Sequence, residues 1–249
     1  MIKGLRVVAS IEARMLSERL PGKVLLECLQ RPLLSLLIER VQGSATVDEI
    51  VVATTLDNSC DELAAVALAS GAKVFRGSEA NVSARVTQAM KEASAEIVVQ
   101  LTGDNPLVDA AIIDQMVRLS AFNAESFDFV TNARVLSYPE GFEVQVMPFS
   151  TLLKSDAMCR DAASREHVCL PVHENPSEFR IFDVVAPPDL CRPDLRLSLD
   201  TEDDLEVIRE IFTAFFPRIA FGCREVVEFL DRAPMVAARN SHVRNKAVR

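Results

Sequence analysis

Glu96-Ile-Val-Val-Gln-Leu-Thr-Gly-Asp-Asn-Pro106 is a short apolar run, rich in β-branched residues, that ends in a polar turn. β-Branched side chains suit a covered pleated surface, and Gly, Asn and Pro suit a sharp reversal, so 96–101 reads as a buried strand opening into a turn. On either side the period becomes helical, over 82–94 before it and 110–122 after it. The alternation continues towards the N-terminus. Residues 73–75 read as a strand, 60–70 as a helix stopped by Gly71, 49–54 as a strand, 33–41 as a helix ending near Gly43, and 5–11 as the first strand. Strands and helices alternating at these lengths predict βαβ units, hence an α/β fold with a mostly parallel sheet. Right-handed crossovers place the loops that follow the strands along one edge, where such sheets bind ligands.

The rhythm changes after Asn132. Tyr138-Pro-Glu-Gly-Phe-Glu-Val-Gln-Val146 reads as a turn into an alternating strand, and 179–185 as another strand, broken by Pro187-Pro188. The stretch from about 132 to 190 therefore reads as an antiparallel insertion. Leu195-Arg-Leu-Ser-Leu199 returns to the sheet, and Asp200-Thr-Glu-Asp-Asp204 opens a helix with an acidic first turn. One domain over 1–222 is expected, with 223–249 as a C-terminal helix and a mildly basic tail.

The chain's 249 residues are enough for a full core, and with 49% apolar residues disorder is not expected. Trp is absent and aromatics are sparse, so Ala, Val, Leu and Ile must fill the interior. A formal charge of -9 argues against a nucleic-acid partner, although a few local cations suffice for a triphosphate. No apolar run approaches the ~20 residues that span a bilayer, and no apolar leader precedes the first strand, so a cytoplasmic location is expected. The six cysteines lack C-x-x-C spacing and read as free thiols.

Three constellations carry chemistry. Glu12-Ala-Arg-Met-Leu-Ser-Glu-Arg-Leu-Pro-Gly-Lys23 follows the first strand and concentrates Arg14, Arg19 and Lys23 where an α/β sheet meets its ligand. Guanidinium forks and an ammonium suit a triphosphate, and equally an ordinary solvated basic loop; the glycine spacing of a Walker loop is missing. Asp104 follows Thr102-Gly103 at a strand end, a place suited to holding Mg²⁺ or to an ordinary turn. Asp200 stands at a second strand end, as a metal ligand or as a helix cap with Asp203 at N3. The two aspartates can converge on one metal ion.

In this order the motifs resemble the R-x-x-S-x-R-L-P-G-K signature of sugar-acid cytidylyltransferases, such as the CMP-3-deoxy-manno-octulosonate and CMP-sialate synthetases. They are more similar still to cytidylyltransferases of the spore coat polysaccharide biosynthesis type, in 48–55, 74–79, 101–107, 138–141, 165–168, 174–176, 199–201 and 240–243. The resemblance spans nearly the whole chain. It implies a Rossmann-like nucleotide-diphospho-sugar transferase fold, CTP as co-substrate with Mg²⁺, and a homodimer built through the insertion. By position, Ala13, Arg14, Arg19, Lys23, Arg85, Thr102 and Gly103 would hold the nucleotide, with Arg14, Lys23 and Asp104 catalytic. Asp104 and Asp200 would hold the metal, and Tyr138, Glu143, Gln145, Arg165, Glu166 and His167 would line the acceptor side. The reaction implied is attack of an acceptor oxygen on the α-phosphorus of CTP, with pyrophosphate leaving. The acceptor would be a sugar acid; a phosphonate, an amino acid or a sugar phosphate is the alternative within enzymes, and a nucleotide-binding protein with weakened catalysis the alternative outside them. His173 and His242 read as structural.

The sequence also departs from that pattern. Glu12 stands where the family usually has Gln, Leu16 where it has Gly, and Glu18 where it has Thr, and a glycine usual near Gln30 is missing. The extra carboxylates are expected to oppose anion binding, and Leu16 to deny the backbone a positive φ.

Overall fold

The computed structural model describes residues 1–17 and 19–244. Strand β1 (Val7–Glu12) is followed by a hairpin of β2 (Glu27–Cys28) and β3 (Arg31–Pro32), then by α1 (Leu33–Gln42). β4 (Glu49–Thr55), α2 (Asp61–Ala69), β5 (Lys73–Gly77), α3 (Val82–Glu92), β6 (Ile97–Thr102) and α4 (Ala110–Phe122) continue the alternation. The middle region holds β7 (Phe129–Thr131), β8 (Gln145–Pro148), α5 (Phe149–Met158), α6 (Ala162–Glu166), α7 (Leu170–Glu174) and β9 (Ile181–Asp183). Helices α8 (Glu202–Phe215), α9 (Cys223–Arg232) and α10 (Pro234–Ala238) complete the described chain.

Seven strands form one sheet in the order β5-β4-β1-β6-β8-β7-β9. β5, β4, β1 and β6 pair in parallel, β8 runs antiparallel to β6 and to β7, and β9 is parallel to β7. The α/β fold with its mostly parallel sheet is as expected. The middle region supplies the antiparallel part as expected: it widens the same sheet, and β8 is the reversed strand. The reversal matters for function. The other strands reach the functional edge with their last residues, and β8 reaches it with its first, Gln145, which pairs with Gln100 and Thr131.

Alternation along the strands divides the core between the two faces. Val7, Ala9 and Ile11 face a layer of α1, α4, α8 and α9, where Leu34, Leu37, Ile113, Ile208, Val226 and others are buried. Val8 and Val98 face α3, α5 and α7, with Val86, Met90, Leu152 and Val172. Fully burying an aliphatic side chain contributes about 1.5–3 kcal/mol, so these layers hold the sheet rigid beneath the loops at its edge. Because α9 packs into the first layer, residues beyond 222 join the main core. Asn81, Asp109 and Thr201 cap α3, α4 and α8 through their side chains.

Two expectations are corrected. Residues 195–199 do not return to the sheet: a single bridge joins Arg196 to Glu140, and the segment is held by backbone hydrogen bonds to Glu140 and Asp104 and by the buried Arg196 side chain. Asp200 is not the cap of α8. Thr201 is, in a capping box with Asp204 at N3, which leaves the Asp200 carboxylate available for tertiary contacts. All six cysteines are free thiols, as expected. Among the described residues no helix is long and apolar enough to cross a membrane.

Candidate active site

The loop after β1 and the turn after β6 meet through a glycine. Gly103 N–H donates to the Glu12 carbonyl at 2.8 Å, and a Cβ at position 103 would lie 3.0 Å from both that oxygen and the buried Ala13 side chain. Only glycine lets the two segments touch this closely. The turn then aims Asp104 inward, and Thr102 Oγ1 fixes it by donating to Asp104 Oδ1 at 2.5 Å. The Asp104 carbonyl accepts from Leu199 N–H at 2.8 Å, which brings the chain before α8 alongside.

Asp104 and Asp200, distant in sequence, thereby converge on one point. Lys23 Nζ stands there, donating to Asp104 Oδ2 at 2.9 Å, Asp200 Oδ1 at 2.8 Å and the Leu199 carbonyl at 2.8 Å. Arg19 and Arg196 each reach Asp200 Oδ2 at 2.7 Å. Burial opposes ionisation of Asp200, but Lys23, Arg19 and Arg196 outweigh it and hold the carboxyl below its ordinary range. Arg196 also grips Glu140 at 2.7 Å and Asp204 at 3.0 Å, and Asn240 donates to Asp204 at 2.8 Å. Burial disfavours the Arg196 charge; Asp204, Glu140 and Asp200 more than restore it.

The donor set fits a hard divalent cation. Two carboxylate oxygens and a backbone carbonyl point at a single position where an ammonium now stands in. Among the described residues no third carboxylate, His or Cys completes a cluster, so further ligands would have to come from substrate and water.

The remaining loop residues diverge. Arg14 donates to Glu166 Oε1 at 2.9 Å, which links the loop to α6. Arg85, 2% exposed, donates from one end of its guanidinium to the Ser78 carbonyl at 2.6 Å, while its Nε has no hydrogen-bond partner. Near it, Glu12 keeps a buried Oε2 that also has no partner. Burial pushes the Glu12 carboxyl up to about 8; Asp104 and Glu166 add to this, and Arg85 and Arg14 oppose it. Leu16 has an exposed side chain and a negative φ, as expected of a residue that replaces glycine there. The missing glycine near Gln30 leaves a mark instead: Leu29 and Gln30 have φ of 53° and 59° in the β2–β3 turn. Glu18 lies outside the described residues.

The residues expected on the acceptor side are scattered. Glu143 Oε2 accepts from Gly141 N–H at 2.7 Å and Asn105 Nδ2 at 3.1 Å. Gln145 Oε1 meets His173 Nε2 at 3.2 Å, so a histidine read as structural touches this side. Arg165, Glu166 and His167 are exposed around the end of α6. Tyr138 is buried in the main core near Asp109 and Cys223, and burial raises its phenol. Sequence reasoning missed Glu140, Arg196 and Asn105. An arginine inside the apolar run Leu195-Arg-Leu-Ser-Leu199 was the available signal, since a charge in such a run needs buried partners.

The cytidylyltransferase family model matches residues 8–222. The chain is 32% identical over 232 residues to the spore coat polysaccharide biosynthesis protein SpsF of Bacillus subtilis, covering 91% of this chain and 95% of that one. It is 32% identical over 163 residues to a 3-deoxy-manno-octulosonate cytidylyltransferase of Anaeromyxobacter dehalogenans, covering 65% of each. Among solved structures, a cytidylyltransferase from Leptospira borgpetersenii superposes with a TM-score of 0.90 at 31% identity, covering 98% of this chain and all of that one. The paired aspartates at the edge of this sheet thus lie within a matched fold and a matched sequence together, and the chain belongs to the cytidylyltransferase family of CTP-dependent nucleotidyltransferases.

Proposed function

We propose that this enzyme transfers a cytidylyl group from CTP to a hydroxyl of an acidic sugar of the 3-deoxy-ulosonic type, in the synthesis of a surface polysaccharide or glycan. The observation that carries the reading is the convergence of Asp104, Asp200 and the Leu199 carbonyl on one cation position, beside Arg19 and at the mouth of the Arg14 loop. Mg²⁺ held by Asp104 and Asp200 would offset charge on the α-phosphate. Lys23, Arg14 and Arg19 then neutralise the triphosphate and the departing pyrophosphate, and Arg85, Ala13, Thr102 and Gly103 shape the nucleotide's seat. Lys23 and Arg14 exchange their present carboxylate partners for phosphate oxygens.

The acidic acceptor is supported by Arg165, which is exposed and has no ion pair among the described residues. A guanidinium so placed can take a carboxylate in a bidentate pair. Glu143, Gln145 and His167 would meet the acceptor's hydroxyls. Release of pyrophosphate from CTP with Mg²⁺, across a panel of ulosonic acids, phosphonates, amino acids and sugar phosphates, tests the reading. Turnover confined to a non-sugar acceptor overturns the acceptor class. CTP binding without turnover on any acceptor overturns the enzyme reading in favour of a weakened homologue.

A homodimer through about 132–190 belongs to the same proposal. β9 is an edge strand, and Leu136, Leu153 and Val185 are exposed within the same stretch of the chain. Light scattering at micromolar concentration should give twice the chain mass of 27.4 kDa; a monomer refutes the contact.

A further inference from the structure

An acceptor hydroxyl must lose its proton as it attacks phosphorus, and among the described residues no histidine touches the cation cluster. One carboxyl is built for the task. Glu143 lies between Gly141 and β8, with Oε2 clamped by Gly141 N–H at 2.7 Å and Asn105 Nδ2 at 3.1 Å. The residue is half-buried, its own backbone N–H also favours the carboxylate, and among the described residues no other side chain donates to Oε1. Oε2 is held by two donors, and Oε1 meets no donor from another side chain. The clamp is tied to both aspartates of the cluster. Asn105 directly follows Asp104, and Gly141 follows Glu140, which holds the same Arg196 that holds Asp200. Gly141 itself has φ of 102° and would place a Cβ 2.6 Å from the Leu197 carbonyl, so the Glu140 turn is pressed against the segment leading to Asp200. Any movement of Glu143 relative to the cation position must break one of these ties.

We propose that Glu143 is the general base of the transfer. Its Oε1 takes the proton from the acceptor hydroxyl, the acceptor oxygen bonds to the α-phosphorus of CTP, the bond from that phosphorus to the bridging oxygen breaks, and the electron pair leaves with pyrophosphate. The inference rests on the cytidylyl-transfer reading above. The surroundings agree with the role. Burial pushes the Glu143 carboxyl up to about 7, its own N–H and that of Gly141 pull it back, and Glu140 and Asp104 push it further up. Arg196 and Lys23 answer those two neighbouring charges. A base that loses its proton near the working pH suits proton abstraction. Below that pH it keeps its proton and the rate falls.

The test is a pH profile of kcat/KM for the wild type, Glu143→Gln and Glu143→Asp, read by pyrophosphate release with the acceptor that turns over fastest. CTP binding with Mg²⁺ is measured alongside by calorimetry, and folding by circular dichroism. The wild type should show a one-proton acid limb near pH 7. Glu143→Gln should lose about 10²-fold or more in kcat and lose the limb, with CTP affinity nearly unchanged. Glu143→Asp should recover part of the rate and keep the limb. A folded Glu143→Gln protein that retains the limb, or a limb that vanishes in Glu12→Gln instead, overturns the assignment. A wild type that binds CTP and releases no pyrophosphate with any acceptor overturns the transfer reading first, and this one with it.

Discussion

Two regions flank β6 at the functional edge, and they treat charge in opposite ways. On one side Lys23, Arg19 and Arg196 close every contact with Asp104, Asp200, Glu140 and Asp204. On the face beneath α3, Ser10 Oγ, Glu12 Oε2, Ser83 Oγ, Arg85 Nε, Thr87 Oγ1 and Gln100 Oε1 are buried without partners. The first is a closed network and the second a polar seam with unmet capacity, at about 1–3 kcal/mol per unsatisfied group. The closed network holds two like charges near each other, which is costly unless cations answer them, and so keeps the pair poised for a metal ion. The seam spends stability, which proteins tolerate where groups meet a ligand.

The sharpest way to break the contrast is to open the closed side. Arg196 is 7% exposed and Asp204 fully buried, so Arg196→Leu strands carboxylates in the interior. Removing one partner of a buried ion pair typically costs about 3–5 kcal/mol, and urea melts should show a loss of that size. A loss under about 1 kcal/mol would mean that the network is solvated.

Asp104→Asn tests the same network at its functional end. It keeps the shape and the Thr102 contact but removes a charge from the cation position. Turnover should fall by about 10²-fold or more while the melting temperature stays near the wild-type value. Near-normal turnover at limiting Mg²⁺ refutes Asp104 as a metal ligand.

The seam yields a pH signature. Glu12 is raised from 4.5 to about 8, so between those values the unfolded chain releases a proton that the native state keeps. The native state then binds more protons, and stability falls as pH rises through that window, levelling off above it. Glu12→Gln removes the titration. Its stability advantage should be absent near pH 4, grow through pH 5–8 and reach the order of a few kcal/mol. An advantage that does not vary with pH would place Glu12 in contact with solvent. A protonated carboxyl and an amide have nearly the same shape, so the fold should tolerate the exchange.

How much of this was legible in the sequence differs between the same regions. β1, β4, β6 and α4 come within a residue or two of their expected limits because each carries one clean period. The loop motifs put Asp104 and Asp200 forward, and the fold brought them together. β7, α6 and α7 were missed, since three-residue strands and five-residue helices hold too few residues for a period to register, and the ten-residue α5 was missed as well. Residues 195–199 alternate like a strand, yet the alternation serves the buried Arg196 and Ser198 rather than a sheet. Local pattern cannot separate the two, because the deciding partners, Glu140 and Asp204, come from other segments.

The smallest effect lies in the hairpin that leads out of the catalytic loop. β2 and β3 are joined by Leu29 and Gln30, both at positive φ, in the two-residue geometry that favours Asn or Gly. Left-handed backbone costs a non-glycine residue about 1–2 kcal/mol, while glycine costs about 0.5–1 kcal/mol through the freedom it gains in the unfolded chain. The strain term is the larger, so Gln30→Gly should stabilise the protein by about 0.5 kcal/mol, a melting-temperature rise of one or two degrees. The hairpin lies outside the charged network and outside the seam, so catalytic rate should not change with it. A drop in stability would show that the Gln30 side chain holds the turn through contacts worth more than the strain. A change in kcat would show that the hairpin sets the position of Lys23.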